Sequence, residues 1–323
     1  MIKTPVFIFS LPRAGSTLLQ RILSSDEMIS TSDETWMLLP FVYNLRDDGA
    51  YSEYSHRLAS YAINDFLSTG DLDQQMYYSL IGEMLQKMYS LYSSDESLYF
   101  IDKTPRYYLI LDEISRIFPN AKFIFLFRNP IGVASSIIET WGKGRLDVYE
   151  NWIDLFEGPR KLSRGYQALA NRSIRVDYDD LVHNTDETID RIRLYLGLGK
   201  KLSPSDFTST MLEGSMGDPL RNNNNKISEE SGLKYRKTFN SYFRKAILKC
   251  YLHRLGDKIL SVHGYNKVAL IKQVDDIKVS RCTIFLDLFD IIVSIIKSIM
   301  NYEMKRSIWR RLIKKRKANY TLS

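Results

Sequence analysis

The chain has 323 residues, 44% of them hydrophobic and 26% charged, which is ordinary for a folded globular protein and excludes a largely disordered one. Its two cysteines, Cys250 and Cys282, cannot build a disulfide framework or a four-ligand zinc site. They leave open a single bridge or two reduced thiols in a cytoplasmic protein, and we expect the thiols. The net charge of +7 comes from residues 301–323, which hold eight lysines and arginines and one glutamate, so it does not predict nucleic-acid binding by the rest of the chain.

The first predicted element is a β-strand at Val6–Ser10, which is too short for a signal sequence or a membrane span. A tight loop follows it, and a helix is predicted to begin at about Thr17. Free backbone N–H groups and the positive end of the helix dipole make such a junction an anion site. We therefore predict a phosphate-binding loop that consists of Arg13, Ala14, Gly15, Ser16 and Thr17. The loop lacks the lysine of nucleotide-triphosphatase loops, which argues against a kinase.

Short apolar runs typical of strands recur further along the chain, and stretches with helical spacing lie between them. The predicted strands after the first are Leu98–Ile101, Lys122–Phe127 and Ser173–Val176. The predicted helices are Ser16–Ser24, Arg106–Phe118, Ile131–Trp141 and Thr185–Leu196. This alternation predicts an α/β fold with a P-loop-like parallel β-sheet flanked by helices. A polar, tyrosine-rich helical segment at about residues 51–92 interrupts the alternation, as a lid or an acceptor-binding subregion would.

A second anion site is predicted at the end of the strand Lys122–Phe127. Arg128 comes directly after this strand, Asn129 and Pro130 start a helix, and Ser136 lies two turns into that helix. Arg128 and Ser136 are therefore expected to converge on one phosphate group. Two anion sites on one parallel sheet suit a nucleotide that carries both a 3′- and a 5′-phosphate.

Together these motifs resemble the family of sulfotransferases that use 3′-phosphoadenosine 5′-phosphosulfate (PAPS), over about residues 5–265 and in the same order. PRAGSTLL is similar to the family's 5′-phosphosulfate loop, and FRNPIGVASS is similar to its 3′-phosphate motif. The stretch SIRVDYDDLV is similar to one whose tyrosine, here Tyr178, commonly lies near the adenine. GDPLR and KYRKTF, the latter with Lys234 and Arg236, resemble a late segment that closes over the nucleotide. DETW resembles the corresponding segment of the branch that includes tyrosylprotein sulfotransferases and many bacterial enzymes.

The resemblance implies the sulfotransferase fold, PAPS as co-substrate, a hydroxyl-bearing acceptor and no metal. It also implies that Arg13 holds the 5′-phosphosulfate, that Lys103 stabilises the leaving oxygen and that Glu34 is the base for the acceptor. The alternative interpretation is that Lys103 is a surface lysine in a strand–helix turn and that Glu34 only caps a helix. Asp33 is the substitute candidate for the base.

The sequence does not choose among a carbohydrate, a lipid and a small-molecule alcohol as acceptor. Trp36, Trp141, Lys143 and Arg145 are candidates to line an acceptor cleft, or equally belong to solvated loops. His56 is the only histidine that we would test as a base. Two competing hypotheses remain, namely a nucleotide-dependent kinase or phosphotransferase on a related P-loop fold, and a nucleotide-binding module without catalysis.

Residues 271–323 are predicted to form an amphipathic, basic helical extension of a sulfotransferase domain at residues 1–270. A narrow polar stripe follows an otherwise apolar helix and consists of Asp287, Asp290, Ser294, Lys297 and Asn301. Its charges argue against a transmembrane helix. The stripe leaves three partners open: the helix's own domain, which is the preferred expectation, a second subunit in a homodimer, and an anionic membrane surface contacted peripherally.

Overall fold

The computed structural model describes residues 3–50, 52–146, 149, 151–199, 234–280 and 283–300. Its centre is a sheet of five parallel strands in the order β2-β3-β1-β4-β5. The strands are β1 (Thr4–Ser10), β2 (Ile29–Thr31), β3 (Tyr99–Asp102), β4 (Lys122–Phe127) and β5 (Ser173–Asp177). The strands expected from apolar runs are confirmed, and so is the parallel sheet. β2 was not predicted, because its three residues, Ile-Ser-Thr, do not form an apolar run.

Helices flank the sheet, as the alternation of elements predicts. They are α1 (Ser16–Leu23), α2 (Leu38–Tyr43), α3 (His56–Thr69), α4 (Gln74–Tyr92), α5 (Leu111–Ile117), α6 (Pro130–Thr140), α7 (Gly158–Ala168), α8 (Tyr178–His183), α9 (Thr185–Leu196), α10 (Tyr235–Thr238), α11 (Tyr242–Val262), α12 (Lys267–Asp275) and α13 (Ile284–Met300). The helix expected at Arg106–Phe118 is divided into a 3₁₀ turn, Tyr107–Ile110, and α5. The polar segment at residues 51–92 is helical, as expected, and forms α3 and α4.

Alternate residues of β1 belong to two hydrophobic cores, one on each face of the sheet. Val6 and Ile8 pack in a cluster that includes Leu19 of α1. Phe7 and Phe9 pack in the larger cluster, which is built from α2, α4–α7, α11 and α12. All four side chains are at most 1% exposed, and burial of each contributes about 1.5–3 kcal/mol. β1 is therefore the rigid centre from which the next loop projects.

The order in which strands are added to the sheet reverses at β1, the central strand. β1 pairs with β3 on one side and with β4 on the other, and β2 and β5 form the edges. Because every strand is parallel, all five carboxyl ends lie along one edge of the sheet. Ligands of open α/β sheets bind outside this edge, where the strand order reverses. The loop that follows β1 lies at this position.

The predicted domain boundary between residues 270 and 271 falls inside α12. Leu270 and Val274, on either side of it, are both buried in the larger core. The division into two domains stays a prediction. Among the residues that the structure describes, no helix is long and apolar enough to cross a membrane.

Candidate active site

The loop after β1 has an unusual backbone. α1 begins at Ser16, with Gly15 as its N-cap at φ 101°, and Arg13 has φ 66°. Glycine adopts a positive φ readily, whereas an arginine seldom does so outside turns and functional sites. Since Gly15 has no side chain to cap the helix, the first N–H groups of α1 are left for another acceptor. This backbone geometry is compatible with the anion-binding loop predicted from the sequence.

Gly15 is also required by the close approach of Tyr178, the first residue of α8. A Cβ atom at position 15 would lie 2.5 Å from Cδ2 of the Tyr178 ring. The same ring lies 4.1 Å from the guanidinium carbon of Arg128, a cation–π distance. Gly15, Tyr178 and Arg128 follow β1, β5 and β4 respectively, so these contacts bring three strand ends together.

The two anion sites expected from separate motifs are contiguous. Arg128 Nη1 donates a hydrogen bond to the Arg13 carbonyl oxygen at 2.7 Å. Arg13 Nε donates in turn to Ser136 Oγ at 3.2 Å. Arg13 therefore links the loop after β1 to α6, the helix that carries the second predicted site. The spacing of motifs along the chain did not indicate this link.

The two guanidinium groups make this region favourable for an anion. Burial lowers the pKa of Arg128 from its ordinary value, and the nearby charge of Arg13 acts in the same direction, while Tyr178 and Asp179 oppose it. Partial desolvation and like charge both disfavour the cationic form of an arginine. A phosphate group bound between Arg13 and Arg128 would offset both effects through charge-assisted hydrogen bonds.

A buried ion pair lies beside the start of α1. Lys103 is 2% exposed, which is not what a surface lysine would show, and its Nζ donates to Glu34 Oε1 at 2.8 Å and to Thr17 Oγ1 at 3.4 Å. The other carboxylate oxygen of Glu34 accepts a hydrogen bond from Trp36 Nε1 at 3.1 Å. The next helix begins only at Leu38, so Glu34 does not cap it. A cation and a carboxylate thus meet next to the predicted phosphate loop.

Directly behind this pair is a polar network that sequence reasoning missed. Asp102 is fully buried and accepts hydrogen bonds from Thr35 Oγ1 at 2.9 Å, from Tyr89 OH at 2.6 Å and from Tyr107 OH at 3.0 Å. Burial raises the pKa of Asp102, whereas these hydroxyl donors act against the rise. Burial also raises the pKa of both tyrosines well above the ordinary value, so both remain donors.

The network holds the two segments that carry the ion pair. Asp102 immediately precedes Lys103, and Thr35 immediately follows Glu34, so the Thr35–Asp102 hydrogen bond ties the ends of β2 and β3 to each other. The sequence feature that could have identified Asp102 is its position, as an acid directly after the predicted strand Leu98–Ile101. Tyr89, on α4, carries no local signal that would assign it here.

The late segment with Lys234 and Arg236 packs beside α6. The hydroxyl of Thr238, at the end of α10, donates to Glu139 Oε1 at 2.8 Å and lies 2.8 Å from Ser135 Oγ. Lys234 and Arg236 are exposed, and the GDPLR motif lies outside the described residues. The nucleotide contacts expected of this segment therefore stay predictions.

Other candidates have structural partners instead. His56 is buried, and its Nε2 lies 3.0 Å from the Arg46 carbonyl oxygen, which favours a structural role. Arg145 Nε donates to Asp290 Oδ1 of α13 at 2.8 Å, which likewise favours a structural interpretation of this loop. In the parts of the chain with described coordinates, no three histidines, cysteines or acids are grouped as metal ligands.

The family of this chain is given by a comparison with protein-family models. The protein-family model described as "Sulfotransferase family" matches residues 5–201. Nodulation protein NoeE of Sinorhizobium fredii is 31% identical over 142 residues, which are 42% of this chain and 31% of that protein. A putative protein-tyrosine sulfotransferase of Caenorhabditis briggsae is 24% identical over 197 residues, which are 60% of this chain and 65% of that protein. The chain thus spans less than two thirds of either relative.

A solved structure supports the fold independently. The sulfotransferase domain from the curacin biosynthetic pathway matches with a TM-score of 0.53 and 21% identity, over 82% of this chain and 98% of that domain. At this identity the likeness shows the architecture alone.

Proposed function

Because this chain belongs to the sulfotransferase family, we propose that it transfers a sulfuryl group from PAPS to a hydroxyl acceptor. One observation carries the proposal: each strand is followed by at least one charged or aromatic residue of the predicted site, all at the same edge of the sheet. In sheet order these residues are Glu34, Lys103, Arg13, Arg128 and Tyr178. Three cations gathered at a switch point suit a ligand with two phosphate groups.

Donor binding is divided between the loop after β1, at the middle of this edge, and the neighbouring residues that follow β4 and β5. The backbone of Ala14 and Gly15, the hydroxyls of Ser16 and Thr17 and the Arg13 guanidinium would hold the 5′-phosphosulfate. Arg128 and Ser136 would hold the 3′-phosphate, with Tyr178 beside the adenine and with Lys234 and Arg236 closing over the nucleotide. The contacts of Arg13 with both sites support a ligand that joins them.

The reaction forms a bond between sulfur and the acceptor oxygen and breaks the bond between sulfur and the 5′-phosphate oxygen. Glu34 would accept the proton of the attacking hydroxyl. Lys103 and Arg13 would stabilise the negative charge that grows on the leaving phosphate oxygen. The proximity of Lys103 to both Glu34 and Thr17 supports this division of roles.

The acceptor classes to compare are carbohydrates, lipids and small-molecule alcohols. The Caenorhabditis briggsae relative is named for protein tyrosine, so a tyrosine peptide belongs among the compounds to test. A panel of these acceptors with sulfur-labelled PAPS would identify the class by the labelled product.

The direct test of the donor is calorimetric titration with 3′-phosphoadenosine 5′-phosphate, the product that lacks the sulfuryl group. We expect it to bind more tightly than ATP with magnesium, since the loop has no lysine for a γ-phosphate. A preference for ATP with magnesium would contradict the proposal in favour of a kinase. Tight binding without transfer to any acceptor, with intact PAPS recovered, would favour a nucleotide-binding module.

A further inference from the structure

Along most of α13 the buried side chains are polar and the exposed ones are apolar, which is the reverse of an ordinary surface helix, and Lys297 near its end is exposed. Asp287, Asp290 and Ser294 are at most 6% exposed. Phe285 is 84% exposed and Leu286 is 70% exposed. The apolar face open to solvent consists of Ile284, Phe285, Leu286, Leu288, Phe289, Ile292, Ile295 and Ile296. The helix thus packs on the protein through Asp287, Asp290 and Ser294, while Asn301, the last residue of the predicted stripe, lies outside the described residues.

Ion pairs hold α13 in this orientation. Arg244 Nη2 donates to Asp287 Oδ1 at 2.7 Å, and the Asp287 side chain is fully buried. Arg145 Nε donates to Asp290 Oδ1 at 2.8 Å, and the Leu146 N–H donates to Oδ2 of the same carboxylate at 3.2 Å. Turning the helix to bury its apolar face would separate both aspartates from their arginines, and breaking the buried Arg244–Asp287 pair is strongly unfavourable. The apolar face therefore remains available for a partner outside the chain's own core.

We propose that this apolar face docks on the surface of an anionic lipid bilayer, with the helix axis parallel to the membrane. The helix has 17 residues, which correspond to about 25 Å of apolar surface. Phenylalanine, leucine and isoleucine are the side chains with which interfacial helices enter the boundary between headgroups and acyl chains. A peripheral contact of this kind is distinct from a membrane span, for which no described helix is suitable.

Charge complementarity favours anionic lipid over a second copy of the chain. Residues 301–323 directly follow α13 and carry eight lysines and arginines against one glutamate. A homodimer formed through α13 would bring two such cationic segments into one assembly. Phosphatidylserine headgroups would instead neutralise them.

The test is cosedimentation of the full chain with vesicles of phosphatidylcholine alone and of phosphatidylcholine with about one third phosphatidylserine. We expect at least roughly tenfold stronger binding to the anionic vesicles, weakened by high salt. The triple substitution Phe285→Ser, Phe289→Ser, Ile292→Ser should lower binding by roughly tenfold or more, since it removes only exposed apolar groups. Thermal unfolding of the variant verifies that it is folded.

The matched control is Leu80→Ser, Met84→Ser, Leu91→Ser on α4, where the side chains are 63%, 41% and 78% exposed. It removes a similar amount of exposed apolar surface, and its vesicle binding should equal that of the wild type. Absent binding, equal binding to both kinds of vesicle, or undiminished binding of the α13 variant would each overturn the proposal. A dimer in light scattering that the α13 substitutions dissociate would assign the face to a second copy, which overturns it too.

Discussion

Lys103 and Glu34 satisfy one another in the structure, at a distance of 2.8 Å and with side chains that are 2% and 10% exposed. The roles that we propose for them require each to gain a different partner. Separating a poorly solvated ion pair is costly unless both charges find new hydrogen bonds. A leaving phosphate oxygen for Lys103 and a hydroxyl proton for Glu34 would supply both at once, so the proposed reaction needs donor and acceptor bound together.

Substitution of the proposed base tests this arrangement most directly. Glu34→Gln should leave the affinity for 3′-phosphoadenosine 5′-phosphate within about twofold of the wild type, because Glu34 is not assigned to the nucleotide. Its turnover with a working acceptor should fall by roughly 10²–10⁴-fold, the usual contribution of a general base. Asp33→Asn is the matched control and should retain activity. If Asp33→Asn is inactive and Glu34→Gln is active, the base is Asp33.

Arg128 gives a second prediction at the residue scale. Arg128→Ala should weaken binding of 3′-phosphoadenosine 5′-phosphate by roughly 10- to 100-fold, the worth of charge-assisted hydrogen bonds, as measured by calorimetry. AMP, which lacks the 3′-phosphate, should bind the variant and the wild type about equally. Arg160→Ala, at a side chain that is 64% exposed, should change neither affinity. Because Arg128 also donates to the Arg13 carbonyl, an equal loss for both nucleotides would show that it only supports the loop.

At the scale of elements, the junction between β1 and α1 depends on a glycine for two reasons, its φ of 101° and its contact with Tyr178. Gly15→Ala should therefore cost stability and also displace either the loop or the tyrosine ring, with weaker nucleotide binding as the result. Gly197 ends α9 at φ 80° with nothing within 4 Å of an added Cβ, so it is the matched control.

Urea unfolding and calorimetry on the two glycine variants separate backbone strain from site geometry. Both variants should lose about 1 kcal/mol or more of unfolding free energy, because alanine resists a positive φ. Only Gly15→Ala should lose nucleotide affinity. Unchanged affinity in Gly15→Ala would mean that the close approach of Tyr178 does not matter for binding.

At the scale of the whole molecule, His263 joins several elements at the end of α11. Its ring lies 4.8 Å from that of Phe127, and Nε2 lies 3.2 Å from the Pro159 carbonyl oxygen. Burial lowers its pKa to about 4, and the charge of Arg175 adds to this, while the Pro159 carbonyl and Asp177 oppose it. At a pH between about 4 and 6.5, His263 is therefore neutral in the folded protein and protonated in the unfolded chain.

The neutral state of His263 should make the free energy of unfolding depend on pH under acid conditions. Between pH 6.5 and pH 4 the unfolded chain binds the proton and the folded protein does not, so stability falls as the pH falls through this window. His263 should contribute about 3 kcal/mol to the change in unfolding free energy between pH 6.5 and pH 4. The test is urea unfolding at several pH values. The unfolding free energy of His263→Gln should fall less between pH 6.5 and pH 4 than that of the wild type, whereas His253→Gln, at an exposed position, should behave as the wild type does. Identical slopes for wild type and His263→Gln would refute the assignment.

Local sequence was sufficient for four of the five strands and for the positions of the two loops that we predict to bind anions. A strand, a turn and a helix start are specified by residues within about ten positions of one another, as at Arg13–Thr17 and at Arg128. The parallel arrangement then follows from the alternation of strands and helices. For this reason the site residues that directly follow strands could be named from the sequence.

The packing around those motifs was decided by the tertiary structure alone. Thr35 and Asp102 are 67 residues apart, and no pattern in either segment indicates their hydrogen bond. The polar stripe of α13 was visible in the sequence, but its burial depends on Arg244 and Arg145, which are 43 and 145 residues away from their aspartates. Periodicity shows that a helix has two unlike faces. Which face is buried depends on the charges that the rest of the fold brings to it.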